Sequence, residues 1–113
     1  MHTLSVYPKS IPSLEDVQTF VMSLPEGDWV TASRGVIESD DGRVYLDYDN
    51  DYGNYFNNYL EPREREQLAT RLGFAPSLAL HLHVSTHYRH SRELAQLICE
   101  MLVKKWGGGW SDE

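Results

Sequence analysis

The chain has 113 residues, 41% of them hydrophobic and 24% charged, with a formal net charge of −7. That size supports one core and excludes two domains. The acidic balance argues against direct nucleic-acid binding, which needs a basic footprint, and no apolar run approaches the roughly 18 residues of a membrane span.

Taken in chain order, His2 to Tyr7 alternates and is predicted as an edge strand. Pro8 and Pro12 interrupt the next stretch. Ser13 is a candidate N-cap, with Glu15 and Asp16 complementing the helix dipole. Val17, Phe20, Val21 and Leu24 fall on one helical stripe, which Pro25-Glu26-Gly27 ends. Asp28 to Glu38 is predicted as one strand, followed by a turn at Ser39-Asp40-Asp41-Gly42 and a return strand through Val44, Leu46 and Tyr48. From Asn50 to Asn58 the alternation fails, and a loop is expected.

Pro62 suits a first helical position, and Glu61 to Leu72 is predicted as a charged helix with a Glu61–Arg65 pair and Gly73 as its C-cap. Leu78 to Val84 alternates leucines and Val84 with Ala79, His81 and His83, the pattern of a half-buried strand. Ser91 is a candidate cap for the last helix, whose stripe is Leu94, Leu97, Ile98, Met101 and Leu102, with Gly107 as its stop. The order β-α-β-β-α-β-α, with an optional terminal strand around Trp110, predicts a single-domain α+β two-layer sandwich over residues 1–113. Its sheet should be mostly antiparallel, with about three helices.

The charge is unevenly distributed. Between Glu26 and Glu61 stand nine acidic residues and two basic ones, which accounts for the whole net charge of −7. The rest of the chain balances, eight against eight. Within this region, 44–60 holds five of the seven tyrosines, three aspartates and four asparagines, and no Lys or Arg. Tyrosines bury large area for little lost rotamer freedom, and carboxylates steer a basic partner. A nuclease that grips phosphate presents a basic cleft, which an acidic, tyrosine-rich segment can plug. The expected partner-binding residues are Asp47, Tyr48, Asp49, Asp51, Tyr52 and Tyr55, with Asp40 and Asp41 as steering charges. Trp110, beside the terminal acids, is a candidate second aromatic anchor.

Other chemistries find less support. Asp47-Tyr-Asp49-Asn-Asp51 matches the start of a calcium loop, but Tyr52 and Asn58 occupy the places that need Gly and Glu. His81, His83, His87 and His90 lie within ten residues and offer an alternative reading, a metal-binding enzyme or sensor. The bland reading puts His81 and His83 on the wet face of a leucine-backed strand. A lone cysteine, Cys99, excludes an internal disulfide and a thiolate-rich metal site, and its helical position is that of a core thiol. No nucleophile elbow or phosphate loop is present, so no enzyme activity and no cofactor are expected. MHTLSVYPKS lacks the build of a secretory leader, and a reducing, cytoplasmic compartment is expected.

In size, acidity and lack of catalytic motifs the chain resembles the small bacterial immunity proteins of polymorphic-toxin and contact-dependent growth inhibition systems. The stretch from Leu80 to Asp112 is similar to some of them in its layout, with a strand HLHVS, a helix SRELAQLICEMLVKKW, and a glycine run closing on acids. The resemblance implies an antitoxin that binds a cognate toxin domain with a basic surface, often a nuclease, at or beside its active site. A generic regulatory interaction domain is the bland alternative.

Overall fold

The computed structural model describes residues 2–112. Its elements are β1 (His2–Tyr7), α1 (Leu14–Ser23), β2 (Gly27–Trp29), β3 (Arg34–Ser39), β4 (Gly42–Asp49), α2 (Tyr52–Asn58), α3 (Pro62–Leu72), β5 (Ala79–Val84), α4 (Ser91–Trp106) and β6 (Gly109–Asp112). The six strands form one sheet in the order β2-β3-β4-β5-β1-β6, and every neighbouring pair is antiparallel. The protein is thus an α+β sandwich, with four helices among the described residues. None of them is long and apolar enough to cross a membrane.

Period-two alternation gives the sheet two unlike faces. One face presents Leu4, Val6, Ile37, Val44, Leu46, Leu80, Leu82 and Val84. Against it pack Val17, Phe20 and Val21 of α1, and Ala95, Ile98, Cys99 and Leu102 of α4. Burying each such aliphatic side chain contributes roughly 1.5–3 kcal/mol, so this layer is the main source of stability. Burial also pushes the Cys99 thiol up to about 12, with the Glu100 and Asp112 charges adding to it. Cys99 is therefore a packing residue rather than a nucleophile.

Several local expectations hold. Ser13 forms a capping box, accepting from the Asp16 amide while the Asp16 carboxylate accepts from its own. Gly73 closes α3 in the left-handed region at φ 83°, where a side chain would be strained.

Others are corrected. β1 is an interior strand between β5 and β6, not an edge. The long strand expected from Asp28 to Glu38 is two short ones, β2 and β3, which pair with each other around 30–33. Ser91 is not the cap of α4; it is buried and its Oγ accepts from the Arg43 amide at 2.9 Å. Arg65 reaches back to the Asn57 carbonyl at 2.9 Å, tying α3 to the end of α2. Trp110 packs against the main core rather than standing out as an anchor.

The segment expected to be a loop is also corrected. Tyr52–Asn58 is a helix of nearly two turns. Its composition, YGNYFNN, has poor intrinsic propensity, so tertiary packing stabilises it. Tyr52 and Phe56, at i and i+4, bury against Tyr7 and Ala79, with Leu60, Leu68, Ala69 and Leu72 packed around them. This second, smaller cluster sits on the opposite face of the sheet from the main core.

Candidate functional site

The second face of the sheet carries the polar chemistry. From β1 it presents Thr3, Ser5 and Tyr7; from β5, His81 and His83; from β4, Tyr45, Asp47 and Asp49; from β3, Arg34. The register sets Ser5 opposite His81 and Thr3 opposite His83. On the other side His81 faces Asp47 and His83 faces Tyr45. Diagonal neighbours then pair, as side chains on one face of a sheet can.

Two hydrogen-bonded rows result. In the first, His81 Nε2 donates to Asp49 Oδ2 at 3.0 Å, and His81 Nδ1 lies 2.8 Å from Ser5 Oγ. In the second, His83 Nε2 donates to Asp47 Oδ2 at 2.9 Å, and Nδ1 lies 3.1 Å from Thr3 Oγ1. Arg34 completes the second row with two bonds to Asp47, Nε to Oδ1 at 2.6 Å and Nη2 to Oδ2 at 2.8 Å. The guanidinium also lies 5.4 Å from the centre of the Tyr45 ring.

The Ser5–His81–Asp49 row has the composition of a hydrolytic triad, but not its access. Ser5 is wholly buried in an interior strand, so a substrate has no route to its Oγ. The rows hold the sheet face in register and fix the carboxylates.

The carboxyl of Asp47 titrates accordingly. Burial would raise it above its ordinary 3.8, but the Arg34 hydrogen bond and charge, helped by His83, hold it lower. The same hydrogen bond raises Arg34 further, against the opposing effect of its burial. A carboxyl lowered in the folded state contributes stability that is fully present above its unfolded value. That stability is lost as pH falls through the folded value. Asp47→Asn is therefore expected to destabilise the protein by about 1–2 kcal/mol at pH 7, where the charged pair is intact. Chemical denaturation from pH 7 down to 2.5 checks this: the gap between variant and wild type should close at the acid end. A gap that stays constant across the range refutes the assignment.

Beside these rows lies a cleft of about 530 Å³. Tyr7 and Ser111 border it from β1 and β6, His81 and Asp49 from the sheet, Asp51, Tyr52 and Tyr55 from the start of α2, and Leu60, Glu64 and Leu68 from α3 and the chain entering it. Its aromatic rings form a series: Tyr7 to Tyr52 at 5.2 Å, Tyr52 to Tyr55 at 5.6 Å, and Tyr52 to His81 at 6.2 Å between centroids. Tyr55 continues outward, stacked on the exposed Tyr59 at 6.3 Å. Among the described residues three carboxylates line the cleft and no Lys or Arg does. Asp49 is committed, since its Oδ1 accepts the Asp51 amide at 3.1 Å and its Oδ2 takes His81. Asp51 and Glu64 are exposed.

The expected site residues therefore divide. Asp49, Asp51, Tyr52 and Tyr55 converge on the cleft. Asp47 stands one register step away, in an adjoining hollow that Arg34, Asp49 and His81 also line. The Tyr48 side chain belongs to the other face: its hydroxyl donates to the Pro12 carbonyl at 2.9 Å and its ring packs on the main core. Asp40 and Asp41 form the β3–β4 turn beyond the far end of β4, whose own length from Gly42 to Asp49 is roughly 23 Å at about 3.3 Å per residue. There the Asp41 carbonyl accepts the His90 amide at 2.8 Å, and Arg89 approaches its carboxylate.

The histidine cluster does not converge. His81 and His83 share a face, with centroids 6.5 Å apart, but all four of their ring nitrogens are engaged by the sheet. His87 and His90 lie exposed in the turn beyond β5. Among the described residues no group of three or more His, Cys, Asp or Glu is arranged to hold a metal ion.

Composition alone does not reveal Tyr7, Glu64 and Ser111 as parts of the site, because they come from β1, α3 and β6, brought together only by the fold. The helical form of Tyr52–Asn58 does leave a signal. Three pairs at i,i+4 spacing all make contact: Tyr52 with Phe56 in the small core, Tyr55 stacked on Tyr59, and Asn58 Nδ2 donating to Asn54 Oδ1 at 2.6 Å. No protein-family model matches this chain, and neither a curated protein nor a solved structure was found to be similar to it.

Proposed function

We propose that this chain is an immunity protein, a non-enzymatic inhibitor that binds and neutralises a cognate toxin domain with a basic surface, most simply a nuclease. The observation that carries this reading is the cleft: three tyrosines and three carboxylates around about 530 Å³, with no Lys or Arg among the described residues that line it. Such a site has large, rigid contact area and negative potential, the two properties that hold and steer a basic protein. The exposed Tyr55 and Tyr59 extend the aromatic surface to the rim. Asp40 and Asp41, at the other end of β4, act at a distance, by raising the encounter rate. In this reading the protein works in the cytoplasm, where Cys99 stays reduced.

The test is neutralisation. The reading requires a toxin domain encoded beside this chain, one that arrests growth when expressed alone and is relieved by co-expression of this protein. The purified pair should form a complex whose affinity falls by about tenfold or more between 50 and 300 mM salt. No complex with that domain, or a complex indifferent to salt, rejects the proposal.

A further inference from the structure

The same sheet face already shows how this chain holds an arginine. Arg34 makes two hydrogen bonds to Asp47 and lies over Tyr45. That is the arrangement a guanidinium favours: a carboxylate fork in its plane and an aromatic ring on its face. Next to it along β4, the cleft again sets carboxylates beside aromatic rings, with no Lys or Arg among the described residues that line it. Asp49 is already taken by His81 and the Asp51 amide, so the acceptors open to a second guanidinium are Asp51 and Glu64, with Tyr52 and Tyr55 beside them. The two hollows adjoin through Asp49 and His81, so the Arg34 hollow is a neighbouring example of the same carboxylate-and-ring chemistry. Leu60 and Leu68 give the cleft an apolar wall that suits the methylene stem of a long side chain.

We infer that the cleft receives an arginine side chain of the partner, its guanidinium bonded to Asp51 and Glu64 and stacked on the exposed Tyr55. This deepens the immunity reading and rests on it for the identity of the partner. The chemistry of the subsite itself does not depend on it. Lysine fits less well, because its ammonium is a compact point charge that cannot fork across two carboxylates or stack as a plane.

The probe is N-acetyl-arginine N-methylamide, titrated into the labelled protein in 150 mM salt and followed by amide and tyrosine-ring NMR shifts. A saturable response should centre on Tyr52, Tyr55 and Ser111. The lysine analogue should bind more weakly, and the norleucine analogue by about tenfold or more. Asp51→Asn with Glu64→Gln should abolish saturation. Both residues are exposed, so the fold survives, and Tyr55→Ala provides a second, charge-preserving variant that should weaken the probe. An absent response at these residues, a lysine analogue that binds as tightly, or unchanged binding in both variants overturns the inference. Because the titration needs no toxin, its result is separable from the neutralisation result. Arginine binding without neutralisation rejects only the immunity reading; neutralisation without arginine binding rejects only this one.

Discussion

Leu82→Ala is expected to lower the unfolding free energy by about 2–5 kcal/mol, with a fall in Tm on the order of 10–20 °C. Leu82 is fully buried at the middle of β5. The register places it directly opposite Leu4 on one side and Leu46 on the other. Those three leucines form a row across the sheet beneath the helical layer, where α4 contributes Ile98 and Leu102. Truncation leaves a cavity walled on both sides by strands hydrogen-bonded in place, so the site collapses poorly, the circumstance in which such substitutions are most severe. Leu97→Ala is the control. Leu97 lies on the same helical stripe in sequence but is 54% exposed, and its loss should change stability by about 0.5 kcal/mol or less. Denaturant unfolding of both variants checks the pair. A loss below about 1 kcal/mol at Leu82 contradicts the strand order that buries it.

That row also shows what local pattern can and cannot reveal. Alternation in Leu78–Val84 identifies a strand with one leucine face, and the stripe in Ser91–Trp106 identifies the helix that covers it. Both are properties of neighbouring residues. The placement of β1 between β5 and β6 depends on pairings more than 75 positions apart in the sequence for most of the β1–β5 register, and no periodicity encodes them. The same limit applies to the site. His81 and His83 are legible as the wet face of a strand, but the diagonal partners Asp49 and Asp47 follow from the register of β4 on β5. Tyr48 departs from expectation for a simpler reason. It belongs to the return strand, where alternation already sets it with Val44 and Leu46, and its parity decides its face despite its place in a tyrosine-rich run. The β2–β3 break is hidden because Trp29, Val30, Val36 and Ile37 read as one apolar strand when the polar turn between them is short.

The structure changes which substitutions can probe binding. Neutralising Asp47 or Asp49 disturbs Arg34, His83 or His81 as well, so lost binding in such variants is confounded with lost order. Asp51 and Glu64 carry no ion pair among the described residues and line the cleft. Under the proposed immunity function, the double variant Asp51→Lys, Glu64→Lys is expected to weaken toxin binding by about 100-fold or more, equivalent to about 2.7 kcal/mol, and to act mainly on dissociation. Long-range charge is separated by a matched control. Glu93→Lys with Glu100→Lys alters two exposed acids on α4. Each replacement adds two charges, so both double variants move the formal net charge from −7 to −3. If the protein works as a diffuse negative body, the two variants lose affinity equally. If the cleft is where the partner docks, the α4 variant loses less than about tenfold, chiefly through slower association. Its toxin neutralisation should persist while the cleft variant's fails. Equal losses, measured by association and dissociation kinetics at one salt concentration, reject the cleft as the docking site.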